Sequence, residues 1–308
     1  MSFGFFTQNN KWQTYIDSNE RLEVLCAYAE VDYNVLCPAS DYPHPTDPDW
    51  TILVPDPKYF VGHHVVVDLK KVFPCQIFDY ANGTDLIQSD IPPFANAKSC
   101  RKNNEFSIYI GTSSGNPATV CGKLLANGVV YEPTASGNCK VSVSIGSATP
   151  NKVSNPRIQG RLWVAVFTKL PVNLVKPNYG LQLFNRDGIC NFSSFYEPLA
   201  IHGYVRCPPY QNSTYYQPNS RVAIPNHIAG EKYLSPDGLI AYVDYLNLDR
   251  ENGTVIYNWT CDPDGTLYRG VSWLGQGGSY GNIATTNFDA AQNIMIPVLK
   301  VSDYFTVV

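Results

Sequence analysis

Five histidines, nine cysteines and several paired carboxylates are the residues of this chain with the widest chemical range. His63 and His64 are adjacent, so on a strand they face opposite sides and offer poor geometry for one metal ion. His44 sits between two prolines, and His202 and His227 stand apart in the sequence. The cysteines (Cys26, Cys37, Cys75, Cys100, Cys121, Cys139, Cys190, Cys207 and Cys261) are odd in number and widely spaced, with no C-x-x-C pair. That pattern argues against a zinc site and a fully paired disulfide framework. Buried thiols of a chain made in a reducing cytosol are the expectation, and some disulfides of a secreted chain the alternative. Asp47/Asp49 and Asp262/Asp264 pair carboxylates as a hydrolase or a calcium site would. Both pairs lie in proline-containing turns, where Asp caps the backbone locally, and no twelve-residue calcium loop is present. The glycine-rich stretch 275–282 lacks the Lys-Ser/Thr of a phosphate loop, and no G-x-S-x-G occurs. The expectation is a chain without catalytic residues, metal or cofactor, hence not an enzyme.

The tyrosines offer a different chemistry. Tyr204, Tyr210, Tyr215 and Tyr216 fall in a polar stretch with Pro208, Pro209 and Pro218, while Trp273 lies just before the glycine-rich stretch and Tyr280 within it. Tyrosine brings a large contact area with a polar tip and loses little entropy on ordering. These six aromatics are the candidate interface or ligand contacts. The competing role for the tyrosines is to cap the edge of a sandwich.

Elements that could position such residues are strands. Charged residues make up 16% of the 308 residues, against roughly 25% in ordinary globular chains. The 21 Tyr, 23 Pro and 22 Gly suit pleated surfaces and frequent turns. Strands are expected at 64–69, 106–110, 140–145, 162–167, 239–246, 254–260 and 294–301, and the proline-dense stretch 38–50 is expected to be a loop. No long amphipathic helix is evident, and many short strands between turns suggest an all-β sandwich. A net charge of −4 and a pI near 5.7 give no basic stripe for nucleic acid. No apolar run reaches the roughly 18 residues of a spanning helix, so no membrane insertion is expected, and the opening residues do not resemble a leader. Five N-x-S/T sequons, at Asn82, Asn191, Asn212, Asn252 and Asn258, read as turn and strand polar residues. They also motivate the rival of a secreted or viral surface ectodomain.

An internal repeat organises the elements. The opening Phe3-Gly4-Phe5-Phe6-Thr7-Gln8-Asn9-Asn10-Lys11-Trp12-Gln13-Thr14-Tyr15-Ile16-Asp17-Ser18 aligns without a gap to the sixteen residues from Tyr179 to Ser194. Gly4 matches Gly180, Asn9 matches Asn185 and Ser18 matches Ser194. After one residue of offset, Leu22-Glu23-Val24 matches Leu199-Ala200-Ile201. Each copy predicts a hairpin with a polar turn, then a third strand. With prolines 171 and 177 marking a linker, two tandem sandwich-like modules are expected, 1–170 and 178–308, joined by 171–177.

The unit aromatic-Gly-Leu-x-Leu-Phe-Asn-x-Asp-Gly, then Ser-Ser and a Leu-x-Ile strand, resembles the opening of a family of small virion proteins of tailed bacteriophages. Tyr179 to Ile201 is the better match and Met1 to Val24 the second. The family often has Asp-Ser where this chain has Asp17-Ser18, and Ser193-Ser194 departs from it. The resemblance covers about 45 residues and carries over no catalytic or binding residue. It implies a β-rich tail-tip, baseplate or fibre-associated protein, assembled in the host bacterial cytoplasm as a trimer or hexamer with other tail proteins. Contact with a host surface receptor or glycan is a further expectation. A carbohydrate- or receptor-binding β-sandwich is the alternative, with a glycosidase the weakest.

Overall fold

The computed structural model describes residues 6–8, 14–17, 21–36, 40–43, 51–54, 64–79, 98–99, 101–113, 121–124, 129–131, 137–146, 157–172, 180–207, 221–237, 242–248, 251–261, 264–276 and 294–306. Strands dominate them, and none of their helices reaches seven residues. In chain order the first strands are β1 (Phe6–Gln8), β2 (Thr14–Asp17), β3 (Glu23–Leu36), β4 (Ser40–Pro43), β5 (Thr51–Val54), β6 (His64–Lys71), β7 (Phe78–Asp79) and β8 (Lys98–Ser99). There follow β9 (Arg101–Lys102), β10 (Phe106–Thr112), β11 (Cys121–Leu124), β12 (Val129–Tyr131), β13 (Cys139–Gly146) and β14 (Arg157–Lys169). The remainder comprises β15 (Gln182–Phe184), β16 (Cys190–Ser193), β17 (Gly203–Cys207), β18 (Arg221–Ala223), β19 (Tyr233–Pro236), β20 (Tyr242–Leu248), β21 (Glu251–Cys261), β22 (Thr266–Gln276) and β23 (Ile294–Lys300). The protein is all-β, and every strand pair among the described residues is antiparallel. The proline-dense stretch was expected to be a loop throughout. Within it, Ser40–Pro43 instead pairs with Thr51–Val54; Pro43 ends that strand, where a missing N–H costs least.

Eleven strands form one sheet in the order β17-β23-β19-β10-β14-β3-β6-β13-β12-β8, with β11 also pairing β13. Its middle is the long β3/β14 ladder, thirteen residue pairs from Arg157↔Leu36 to Lys169↔Glu23. Strand β14 is buried on both faces. Leu162, Val164 and Val166 enter one core with Val24, Val67, Ile108 and Val141. Trp163, Ala165 and Phe167 enter a second with Leu25, Tyr109, Leu234, Leu299 and Phe305. A period of two over an unbroken apolar run gives this double-sided burial. A second sheet, β18-β22-β21-β20, lies against the first. Between them Ile224, Cys261 and Leu267 pack with Val205, Tyr233, Ile296 and Val298.

The repeated stretches adopt the same hairpin. In the first copy Phe6 pairs Asp17, Thr7 pairs Ile16 and Gln8 pairs Thr14, with a register shift between Thr7 and Gln8. In the second Gln182 pairs Ser193, Leu183 pairs Phe192 and Phe184 pairs Cys190, with a shift between Leu183 and Phe184. Every pair and the irregularity coincide under the offset that carries Phe6 onto Gln182. The two stretches that follow the hairpins lie side by side: Val24 bridges Pro198, Leu25 N donates to Glu197 O (2.8 Å) and Leu199 N donates to Glu23 O (2.9 Å).

One sheet and one core join the two halves. β10 pairs β19 through Tyr109↔Pro236 and Ile110↔Ser235, so one sheet runs past residues 171–177. The second core draws on both sides of that stretch. At its near end Leu170 is fully buried, with its N–H bonded to Leu22 O at 2.9 Å. The physical reason is the apolar second face of β14, which a single module would leave in water and which β23 and the 301–305 segment cover.

Candidate functional site: the face carried by β17 and β23

Strand β17 ends the large sheet, and alternation sorts its side chains. Val205 is buried against the second sheet, while Tyr204 and Arg206 are exposed on the other side. Opposite them in β23, Tyr204 pairs Pro297 and Arg206 pairs Met295. Tyr204 (48% exposed) and Met295 (53%) make an apolar and aromatic face beside the Arg206 guanidinium. One aromatic, one thioether and one planar cation favour contact with another surface, through stacking, sulfur–aromatic and cation–π contacts.

Beneath this face the packing is aromatic. Phe167 meets Tyr109 and Tyr304 edge-on, at centroid distances of 5.7 and 5.1 Å. Tyr304 Oη donates to Pro198 O (3.0 Å) and accepts from Ala200 N (2.7 Å), which fixes the segment leading to Ile201. Burial pushes the Tyr304 hydroxyl above its ordinary range. Burial first, then the negative charge of Glu23 and the neighbouring Tyr204, push Tyr109 up to about 12. Both hydroxyls are neutral at physiological pH, as tyrosine ordinarily is.

On the opposite side of β17, the imidazoles of His202 and His227 each lie against the Tyr233 ring, with centroids 5.3 and 5.7 Å away. Tyr233 Oη accepts from Ile228 N at 2.9 Å. His202 Nε2 is buried with no hydrogen-bond partner. Among the described residues no group of three or more His, Cys, Asp or Glu is placed to hold a metal ion.

Of the aromatics singled out from the sequence, Tyr204 is on this face. Tyr210, Tyr215, Tyr216 and Tyr280 lie outside the described residues, and Trp273 contributes its backbone to β22, opposite Val255. The repeat positions Gly180, Asn185 and Ser194 come together in the second hairpin. Asn185 Oδ1 accepts from Asp187 N (3.0 Å) and Ile189 N (2.8 Å), closing the turn. Gly180 has φ +104°, and a Cβ there would lie 2.7 Å from Ser194 Oγ. That oxygen accepts from Leu181 N at 2.8 Å. Their counterparts Gly4, Asn9 and Ser18 lie outside the described residues. The Asp264 turn behaves as its sequence suggests, with Asp264 Oδ1 capping Thr266 N at 3.0 Å.

Sequence reasoning missed Arg206 and Met295. The alternation Tyr204-Val205-Arg206 held the signal for Arg206. Met295 sits in an apolar run, 294–299, that looks wholly internal, so nothing in the sequence marked it as exposed. No protein-family model, curated protein or solved structure matches the chain.

Proposed function

We propose that this chain is a structural component of a tailed-bacteriophage particle, at the tail tip, baseplate or fibre base, and that the β17/β23 face is one of its contacts with neighbouring subunits. The observation that carries the proposal is the shared hairpin register of the two repeat copies, because that unit is what resembles the virion family. The exposed Tyr204, Arg206 and Met295 give it a surface of the composition that interfaces favour. The all-β architecture suits a static, load-carrying role. In a particle, neighbouring subunits would cover the terminal strand of the sheet, one way such edges are protected.

A second reading gives the same face to a host glycan or receptor, since an exposed Tyr beside Arg can stack on a sugar ring. The ectodomain reading is disfavoured at one sequon: Asn191 is 2% exposed, and a glycan needs a surface side chain.

Sedimentation of the purified chain is the test. A stable homo-oligomer, weakened by Tyr204→Ala and Arg206→Glu with little change in melting temperature, supports the proposal. A strict monomer that shows no association with tail proteins ends it, and retention on a glycan array by the native chain but not by Tyr204→Ala would favour the second reading.

A further inference from the structure

Strands β3 and β14 fall out of register once. Val166 faces Ala27 and Phe167 faces Leu25, so Cys26 is an extra residue in β3. Such a bulge re-aims the side chain it inserts. Here Cys26 and Ala27 both turn into the first core, and Cys26 O accepts from Val72 N at 2.7 Å. That bond draws the chain leaving β6 alongside the bulge, and Cys75, between β6 and β7, packs against the core that Cys26 enters. The Cys26 thiol is within hydrogen-bonding reach of both Val166 O (3.2 Å) and the Cys75 sulfur. The two differ in access, Cys26 being fully buried and Cys75 partly exposed.

Their surroundings separate them further. The hydrogen bond from Cys26 and the nearby Lys71 ammonium favour the Cys75 thiolate and lower its pKa. The same hydrogen bond, followed by burial, keeps Cys26 protonated. Cys139 is the third thiol near Lys71, and burial pushes it up to about 11. One accessible sulfur inclined to ionise, touching one buried protonated sulfur, is the arrangement of an attacking and a resolving cysteine.

We propose that Cys26 and Cys75 form a redox-active dithiol, with Cys75 as the attacking sulfur and Cys26 as the resolving one, oxidised by low-molecular-weight disulfides. The Cys75 thiolate attacks one sulfur of the disulfide RSSR. A Cys75–SR bond forms, the S–S bond of the reagent breaks, and RS⁻ leaves. Cys26 then gives its proton to solvent and attacks the Cys75 sulfur, forming the Cys26–Cys75 bond and expelling the second RS⁻. In all, two protein thiols are oxidised to one disulfide and RSSR is reduced to two RSH. The product ties the β3 bulge to the segment after β6, next to the middle of the large sheet. It is independent of the role proposed for the β17/β23 face.

The test exposes the native full-length chain to glutathione disulfide, followed by acid quenching, alkylation and peptide mapping with fragment-ion assignment. The expected map shows Cys26 joined to Cys75, with Cys139 still a thiol. In Cys26→Ser, Cys75 should instead retain one glutathione as a stable mixed disulfide, and in Cys75→Ser the Cys26 thiol should stay unmodified. Overturning results are an unresolved glutathione on Cys75 in the wild-type chain, Cys26 joined to Cys139, or a Cys75 that stays reduced while other thiols react. Should the Cys26 variant not fold, the wild-type map alone decides among these outcomes.

Discussion

Gly180, Asn185 and Ser194 carry the repeat because each holds part of the second hairpin in place. Gly180→Ala places a methyl group on a left-handed backbone and against Ser194 Oγ, and should cost about 1–2 kcal/mol. Gly188→Ala, also at positive φ (+77°) but with open space around it, carries only the backbone part of that cost. Thermal unfolding of the two variants should therefore rank Gly180→Ala as the less stable. Asn185→Ala removes the acceptor of two backbone N–H groups and should cost roughly 1–2 kcal/mol, with Asn185→Asp restoring most of it. Tyr109 supplies a pH prediction. Its hydroxyl ionises near 10 when exposed and near 12 in the folded chain, so between those values the folded state binds the extra proton. Stability is then fully present below pH 10 and falls as pH rises through about 12. Tyr109→Phe should flatten that fall in a melting-temperature profile. The repeat made Gly180, Asn185 and Ser194 legible in the sequence, since turn chemistry is local. The ionisation of Tyr109 was not legible, because its burial, and then the approach of Glu23 and Tyr204, come from residues far along the chain.

Among the elements, strands with strong local signals were readable. Expectations at 64–69, 106–110, 140–145 and 162–167 fall inside β6, β10, β13 and β14. The β4/β5 pair was hidden by prolines that signalled only a loop. The Cys26 bulge was also illegible, because a register shift belongs to the pairing of β3 with β14 and to neither strand alone. Double-sided burial of β14 makes it the most sensitive element. Phe167 is fully buried between Tyr109 and Tyr304, and Phe167→Ala should cost about 3–5 kcal/mol through the cavity it leaves. Tyr204→Ala, on the exposed side of β17, should change stability by no more than ~0.5 kcal/mol. Chemical denaturation separates the two, and a reversed order would mean that the face assignment of β17 is mistaken.

For the whole molecule, the repeat suggested two modules, yet pairing of β10 with β19 and a core shared by Phe167 and Leu299 join the halves. Local pattern reports which residues turn inward, but not which distant strand covers them. Unfolding should accordingly be a single transition, with a substitution such as Leu299→Ala shifting tryptophan signals from both halves together. The proposed function concerns the molecule in its assembly, and one measurement reaches it most directly: quantitative mass spectrometry of purified tailed-phage particles from cells that produce the chain. The expected result is a fixed copy number per particle, a multiple of three, retained through density-gradient purification and lost with the tail. Absence from such particles, or a trace amount washed away with host proteins, would contradict it.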